Sequence, residues 1–342
     1  MKIGVVGASG YSGGELLRLL LSHPHFELAY IAAGSSAGEP ITSIHPGLRA
    51  LAGQLFEATD EKRANECDLV FIALPHGESA KLISKISPHV KVVDLGADFR
   101  LHSRTAWEKY YGGTHAGTWI YGLSELPGAK EKISASTHIA NPGCYATSII
   151  LAAAPAIAHE LIDESDLVTV AASGTTGAGR KASTRLLASE VMGSLSHYKF
   201  GGTHQHTPEV EEVLAHLSKT EKVGFSFTPI LAPMPRGILA TTTAKLKKSI
   251  SHQEVYEIYS RFYSDKPFVS LLPLGEMPST SATVGSNSAL LQVAIDQHTN
   301  RLVVSSALDN LGKGAAGQAI QNANLISGYN ETLGLSATGL GA

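Results

Sequence analysis

The sequence predicts an α/β fold: a doubly wound parallel sheet, followed by a second, α+β domain whose sheet is mainly antiparallel. The N-terminal part alternates short, almost continuously apolar strands with helical segments, which is typical of parallel sheets covered on both faces. The later part contains strand-like segments without a helix after each one, at 225–230, 238–246, 289–296 and 301–308. A chain of 342 residues is long enough for about two such domains.

Composition narrows the class of protein. A net charge of −3 offers no excess of Lys and Arg for a nucleic acid, so small-molecule chemistry is the expectation. The two cysteines, Cys67 and Cys144, form neither a disulfide framework nor a zinc spacing, which indicates a reducing compartment. The first strand begins at Lys2, leaving no room for a signal peptide, and no apolar run reaches about 18 residues. We therefore expect a cytoplasmic protein without a membrane partner.

The first strand, residues 2–7, leads into a glycine-rich turn and a helix over 14–21. Strand, glycine turn and helix in this order let backbone amides approach the pyrophosphate of a dinucleotide. The spacing is G-x-x-G-x-x-G, and the alternative is a turn that only permits tight packing. Its place after the first strand favours a cofactor site formed by Gly7, Ser9, Gly10, Tyr11, Ser12 and Gly13.

The cofactor predicted from the second strand, 26–33, is NADP(H). This strand ends before Ser35 and Ser36 rather than before an acidic residue, which would hold the ribose of NAD and repel a 2′-phosphate. Further strands are predicted at 68–74 and 90–95, with a helix over 78–86 between them. Pro75 then falls at the carboxyl end of a strand, where such sheets bind ligands.

Cys144 is the candidate nucleophile. A strand through 138–140 is stopped by Pro142 and Gly143, and residues 145–154 read as a helix. Cys144 therefore lies at a predicted helix N-terminus, where unpaired backbone N–H groups and the helix dipole favour a thiolate. The alternative is a buried structural cysteine.

A glycine-rich loop follows the predicted strand 167–173 and precedes a predicted helix over 182–192. It is either a flexible connection or a loop that meets an anion and lets a cofactor ring approach the backbone. On the second interpretation Arg180 binds an anion. The cofactor contacts would come from Ser173, Gly174, Gly177, Ala178 and Gly179.

His204 and His206 precede a helix predicted from Thr207 as its N-cap and Pro208 in its first turn. Glu209 has the spacing to orient an imidazole by accepting its second N–H. Both histidines could also serve only as helix-cap hydrogen-bond partners. The pair lacks the further ligands that zinc requires, so we predict no metal site.

Two later segments add candidate binding residues. Arg236 lies in a proline-rich turn between strands and suits a carboxylate or a phosphate, although a surface ion pair is the common use of an isolated arginine. A helix of small residues is predicted over 310–326 and would pack closely against the first domain beside the cofactor. Its candidate cofactor contacts are Asn310, Lys313 and Gly314.

Taken together, these motifs resemble those of type 1 N-acetyl-gamma-glutamyl-phosphate reductases, in the aspartate-semialdehyde dehydrogenase-like superfamily. The resemblance covers essentially the whole chain, and its most specific parts are the motif 141–147 around Cys144 and the segment 310–322. It implies a Rossmann domain of residues 1–145 plus about 312–342, with a catalytic and oligomerisation domain, 146–311, between them. It also implies a homo-oligomer, either a dimer or a tetramer.

The resemblance further implies NADPH-dependent reduction of N-acetyl-L-glutamyl 5-phosphate to N-acetyl-L-glutamate 5-semialdehyde and phosphate, in arginine biosynthesis. In the predicted mechanism Cys144 forms a thioacyl enzyme, and His206, oriented by Glu209, is the first choice of acid and base. The predicted substrate-binding residues are His204, which is also the second choice of acid and base, Arg236, Arg180 and Asn141.

Three alternatives remain open on sequence grounds. Aspartate-semialdehyde dehydrogenase and carrier-linked aminoadipyl-phosphate reductase share the cysteine chemistry and differ in the acyl chain. A redox-sensing, NADP-binding regulator would use Cys144 as its sensor and would bind the cofactor without turnover.

Overall fold

Seven short strands form a parallel sheet in the N-terminal part of the computed structural model, which describes residues 1–218, 220 and 222–341. The strands are β1 (Lys2–Val6), β2 (Glu27–Ala33), β3 (Glu57–Ala58), β4 (Leu69–Ile72), β5 (Lys91–Asp94), β6 (Ile120–Tyr121) and β7 (His138–Ala140). Their order is β3-β2-β1-β4-β5-β7-β6, and every neighbouring pair is parallel. The predicted parallel sheet is confirmed.

Helices cover both faces of this sheet. They are α1 (Tyr11–Leu20), α2 (Ile41–Ile44), α3 (Glu61–Asn65), α4 (Ser79–Ile83), α5 (Arg104–Tyr110), α6 (Ala129–Ser134) and α11 (Gly317–Ile326). On one face Val5 packs in a core with Leu16 and Ile320, and on the other Val6 packs with Leu82. Alternate residues of β1 are therefore buried on opposite faces, as a doubly wound sheet requires.

The second sheet also has seven strands, but it is mixed. Its strands are β8 (Leu167–Ser173), β9 (Ser196–His197), β10 (Phe225–Leu231), β11 (Ile238–Lys245), β12 (Val269–Leu271), β13 (Ala289–Asp296) and β14 (Arg301–Leu308). The helices in this part of the chain are α7 (Cys144–Ala158), α8 (Ala188–Val191), α9 (His206–Leu217) and α10 (His252–Phe262). The order is β12-β13-β14-β11-β8-β10-β9. Only the pairs β8/β10 and β12/β13 are parallel, which confirms a mainly antiparallel sheet.

The chain divides into two units around these sheets. The first comprises Met1–Pro142 and Ala315–Leu335, and the second comprises Gly143–Gly314 and the C-terminal segment from Ser336. This division differs from the predicted boundaries at 145/146 and 311/312. Residues 143–145 belong to the second unit because α7, whose side chains are almost all buried there, begins at Cys144. No helix of the described residues is long and apolar enough to cross a membrane.

The predicted helix over 182–192 is wrong. Its residues form a single 3-10 turn, Thr184–Leu186, and the one-turn helix α8. Most side chains of this segment are exposed, so it lacks the buried apolar face from which protein helices gain most of their stability. The helix α10 was not predicted, although Ser251 and Glu254 form a capping box at its start.

Candidate active site

Cys144 is the first residue of α7, so its predicted position at a helix N-terminus is confirmed. The preceding Gly143 is extended and offers no side-chain cap, and its carbonyl accepts hydrogen bonds from the backbone N–H and the hydroxyl of Thr147, at 2.8 and 3.1 Å. Cys144 is partly exposed. The thiol therefore lies beside the positive end of a 15-residue helix, where negative charge is stabilised.

Two residues of α9 contact the residue that precedes this cysteine. The buried Glu209 carboxylate accepts the Gly143 N–H through Oε1 at 2.8 Å. The His206 ring lies so close to Gly143 that a Cβ at this position would collide with its Nε2. The role of orienting His206 that the sequence analysis gave to Glu209 stays a prediction; the structure shows that one oxygen of its carboxylate holds the Gly143 backbone.

His204 lies two residues before α9 and has a different environment. The predicted N-cap Thr207 is wrong, because α9 begins at His206 with Gln205 as its N-cap. Its ring is buried, and its Nδ1 accepts the backbone N–H of His206 at 3.0 Å, so its proton lies on Nε2. Burial, and secondarily the charge of His206, lower the pKa of His204 to about 2. This imidazole is neutral at physiological pH and holds the backbone at the start of α9.

A pair of tyrosines that the sequence analysis missed lies in the same region. Tyr198 donates its hydroxyl to the Tyr145 hydroxyl at 3.1 Å, and Tyr145 donates to the Ile230 carbonyl at 3.2 Å. Burial raises the pKa of both phenols, so both remain protonated. The Tyr145 ring packs edge-on against the rings of His204 and His206 and restricts both imidazoles.

Arg236 forms a two-point ion pair with Asp309, which the sequence analysis did not identify. Nε and Nη2 of Arg236 lie 3.0 and 2.7 Å from the two carboxylate oxygens, and Asp309 is completely buried. The signal available in the sequence was an acidic residue directly after the apolar strand β14. The guanidinium is therefore held in one plane, with 20% of its side-chain surface exposed.

The loop after β8 is tied to the turn that carries Arg236. Gly174 N–H donates to the Gly237 carbonyl at 2.8 Å, and Asn310 accepts the Gly237 N–H at 2.7 Å while donating to the Thr176 hydroxyl at 2.9 Å. Of the loop residues predicted to contact the cofactor, Ser173 and Gly174 are buried. The exposed ones are Gly177, Ala178 and Gly179, followed by the exposed Arg180.

The predicted helix over 310–326 begins with a π-helical turn, Gly312–Ala316, before α11. Such turns are rare and often occur at functional sites. Gly314 lies against Cys144, because a Cβ there would be 2.8 Å from the Cβ of Cys144. Lys313 is completely buried, with its Nζ 5.7 Å from the centre of the Phe268 ring, and its predicted contact with the cofactor stays a prediction.

The glycine turn of the first unit has the form of a dinucleotide site. Gly7 has a φ of +82°, and a Cβ there would collide with the Ala73 carbonyl. A Cβ at Gly13 would lie 2.6 Å from the Ala8 Cα, so the turn can pass close to the helix only with glycine. The N-cap of α1, Gly10, contributes no side-chain hydrogen bond, as expected where an anion approaches the first turn.

Other residues predicted for the first unit have mixed environments. Ser9 and Ser12 are half-buried and Tyr11 is exposed in or beside the glycine turn, while Ser35 and Ser36 follow β2 and Pro75 is exposed after β4. Asn141, predicted to bind substrate, is buried with its side chain turned inward. It donates to the Ala315 carbonyl and accepts from Asn322, at 3.1 and 3.0 Å.

Comparison with known proteins places this arrangement in a class. The family model described as the NAD binding domain of semialdehyde dehydrogenase matches residues 2–135, and the one described as its dimerisation domain matches residues 144–310. Aspartate semialdehyde dehydrogenase II from Vibrio cholerae is similar in structure, with a TM-score of 0.70 at 15% identity over 95% of this chain and 98% of that one. An aspartate semialdehyde dehydrogenase with NADP from Candida albicans gives 0.67 at 16% identity, over the same shares of the two chains. The chain thus has the two-domain fold of the semialdehyde dehydrogenase class.

Sequence relatives narrow the class. The N-acetyl-gamma-glutamyl-phosphate reductase of Acidothermus cellulolyticus is 56% identical over 99% of this chain and 98% of that protein. The reductase of the same name from Salinispora arenicola is 55% identical over 99% of both. The chain belongs to the N-acetyl-gamma-glutamyl-phosphate reductase family.

Proposed function

We propose that this chain reduces N-acetyl-L-glutamyl 5-phosphate with NADPH, yielding N-acetyl-L-glutamate 5-semialdehyde, phosphate and NADP+, as a step of arginine biosynthesis. The observation that carries the proposal is the position of Cys144, at the first residue of α7 with His206 packed on the preceding glycine. The names of the relatives supply the acyl substrate.

The first step is acyl transfer to the cysteine. The Cys144 thiolate attacks the acyl carbon, the bond from that carbon to the phosphate oxygen breaks, and phosphate leaves with the electron pair. A thioester remains on Cys144. The N-terminus of α7 stabilises the attacking thiolate, and Glu209 fixes the backbone N–H of Gly143 beside it.

NADPH, when bound, supplies the hydride that reduces this thioester. His206 donates a proton to the oxyanion that forms as the thioester is reduced, which gives a thiohemiacetal, and takes the proton back when the carbon–sulfur bond breaks. The aldehyde then leaves and the Cys144 thiolate is restored. We assign this role to His206 because His204 is buried, neutral and already accepts a backbone N–H through Nδ1.

Arg236 is the residue we assign to an anionic group of the substrate, the carboxylate or the phosphoryl group. Its guanidinium is partly exposed and fixed by Asp309, which suits two-point recognition of an anion. The exposed Arg180 is the second candidate for such a contact.

The first unit is the proposed NADP-binding domain, and the second the proposed catalytic and oligomerisation domain. The close-packed glycine turn and the uncapped start of α1 suit the pyrophosphate. Ser35 and Ser36 follow the carboxyl end of β2 with hydroxyl groups rather than a carboxylate, which supports a preference for NADP over NAD.

The second unit also supports a homo-oligomer. Its sheet carries α7 on β11 and β14, whereas Val170, Leu239 and Thr241 are exposed on the opposite face. Exposed apolar residues on an open sheet face, together with a matched dimerisation domain, favour a second copy of this chain as the partner. Val170→Asp should shift the mass measured by light scattering towards the monomer.

The assay that tests the function runs the reaction backwards. Reduction of NADP+ by N-acetylglutamate semialdehyde should require inorganic phosphate and should be much faster than with aspartate semialdehyde. Equal or faster turnover of aspartate semialdehyde would overturn the substrate assignment. NADP+ binding without any turnover would overturn the enzymatic proposal.

A further inference from the structure

Asp309 makes a larger set of contacts than an ion pair needs. Its carboxylate accepts from Arg236 Nε and Nη2, from the Gly285 N–H at 2.6 Å and from the Leu311 N–H at 2.9 Å. A completely buried carboxylate is stable only with such partners. All four donors approach one group, so its position is fixed by three separate segments of the second unit.

The two-point ion pair between Asp309 and Arg236 determines where the guanidinium lies. Arginine has a long, flexible side chain, and a two-point contact to a fixed carboxylate sets both the position and the plane of its head group. Asp309 directly follows the carboxyl end of β14. This is an interior strand of the sheet, paired with β11 on one side and β13 on the other. The arginine is therefore anchored to the rigid centre of the sheet.

The backbone of Asp309 leads to the nucleophile. Its carbonyl accepts the Gly314 N–H at 2.9 Å, and Gly314 packs against Cys144 at a distance that admits no side chain. One residue thus holds Arg236 with its carboxylate and the neighbour of Cys144 with its carbonyl.

We propose that Asp309 is a positioning residue that presents Arg236 to the anionic group of the substrate at a set distance from Cys144. The inference rests on the proposed function, in which Arg236 binds that group. Asp309 itself does not touch the substrate. Its loss should weaken substrate binding far more than it slows the chemistry.

The test is Asp309→Asn, in which an amide NH2 donor replaces one of the two carboxylate oxygens that accept from Arg236. The KM for the reactant whose anionic group Arg236 binds, either N-acetylglutamate semialdehyde or inorganic phosphate, should rise about tenfold or more, with kcat changed less than about threefold and the KM for NADP+ unchanged. Asp309→Glu, which keeps the charge but displaces the ion pair, should show the same split if the asparagine variant folds poorly. Wild-type KM values for both N-acetylglutamate semialdehyde and inorganic phosphate in either folded variant would overturn the proposal.

A double-mutant cycle separates positioning from general damage. Arg236→Ala alone should raise the KM, and adding Asp309→Asn to it should raise the KM no further. Equal effects of Asp309→Asn with and without Arg236 would overturn the proposal. The matched control is Asp166→Asn, which breaks the Asp166–Arg301 ion pair of 2.7 Å at the opposite end of β14 and should leave the KM unchanged.

A readout that needs no turnover keeps this inference separate from the proposed function. The rate of Cys144 alkylation by the anion iodoacetate, divided by the rate with neutral iodoacetamide, reports the anion-attracting effect of Arg236. Asp309→Asn should lower this ratio severalfold and Asp166→Asn should not. An unchanged ratio overturns the inference, whereas a wild-type chain with a normal ratio but no phosphate-dependent turnover overturns only the proposed function.

Discussion

Removing the Glu209 carboxylate should loosen the backbone directly before Cys144, the proposed nucleophile. Glu209 accepts the Gly143 N–H at 2.8 Å in a buried environment. A hydrogen bond to a charged group contributes about 1.5–3 kcal/mol, and one between neutral groups about 0.5–1.5 kcal/mol. Glu209→Gln keeps an acceptor oxygen but loses the charge. We therefore expect the backbone conformation with Gly143 N–H hydrogen-bonded to lose about 1 kcal/mol of stability relative to the open conformation.

Glu209→Ala removes the acceptor altogether. An unsatisfied buried N–H costs about 1–3 kcal/mol, which corresponds to roughly a 5- to 150-fold change in an opening equilibrium. Hydrogen exchange of the Gly143 amide measures this equilibrium directly. Exchange should increase roughly fivefold in Glu209→Gln and more in Glu209→Ala, and the turnover of the two variants should fall in the same order.

The control for Glu209 lies on the same helix. Glu211 is two residues further along α9 and points to a different side, so Glu211→Ala should leave the Gly143 amide unaffected. Exchange in Glu209→Ala within twofold of wild type would refute the reasoning. A fall in turnover without faster exchange would instead favour an action of Glu209 through His206.

Three further substitutions test separate parts of the structure. Cys144→Ser should lower phosphate-dependent NADP+ reduction roughly 10⁴-fold or more while NADP+ still binds; retained turnover would contradict the thioester mechanism. Burial raises the pKa of Asp94 to about 7 from its ordinary 3.8, so the folded chain binds an extra proton between these values and its stability falls as the pH rises through them. Asp94→Asn should flatten this slope in denaturant melts from pH 4 to 8, and an unchanged slope would exclude Asp94 as its source. Gly314→Ala should destabilise by about 1–3 kcal/mol and slow turnover, because its Cβ would overlap Cys144, whereas Gly47→Ala, with open space around it, should do neither in thermal melts and assays.

Local patterns in the sequence predicted the elements that depend on local chemistry. The Pro142-Gly143 stop placed the start of α7 correctly, and the apolar strands at 68–74 and 90–95 contain β4 and β5. The helix predicted over 182–192 failed because helical periodicity there is not matched by burial. Helix stability depends on what the rest of the chain packs against it, which a local pattern does not contain.

In the candidate site, too, the local sequence predicted some features, whereas others depend on long-range contacts. The sequence placed Cys144, His206 and Glu209 in one region, but the target of the Glu209 carboxylate depends on a contact between residues 66 positions apart. The partner of Arg236 lies 73 positions away, and although Asp309 directly follows an apolar strand, no pattern near Arg236 selects it over other acidic residues. The substrate contact of Asn141 stays a prediction, and the two hydrogen bonds of its amide, to Ala315 and from Asn322, join residues 174 and 181 positions away. Long-range pairing decides these roles.

The first unit is discontinuous in the chain, and this affects how it can be synthesised. All seven strands of its sheet lie before residue 142, but α11, which buries Ile320, Ala323 and Ile326 in the core of that sheet, belongs to residues 315–335. During translation, residues 143–314 of the second unit are synthesised before α11, so this part of the core of the sheet stays uncovered until then. Ile3 and Leu16, which belong to the same core, lack that cover until then, so the nascent chain carries an exposed apolar surface of the kind that chaperones bind.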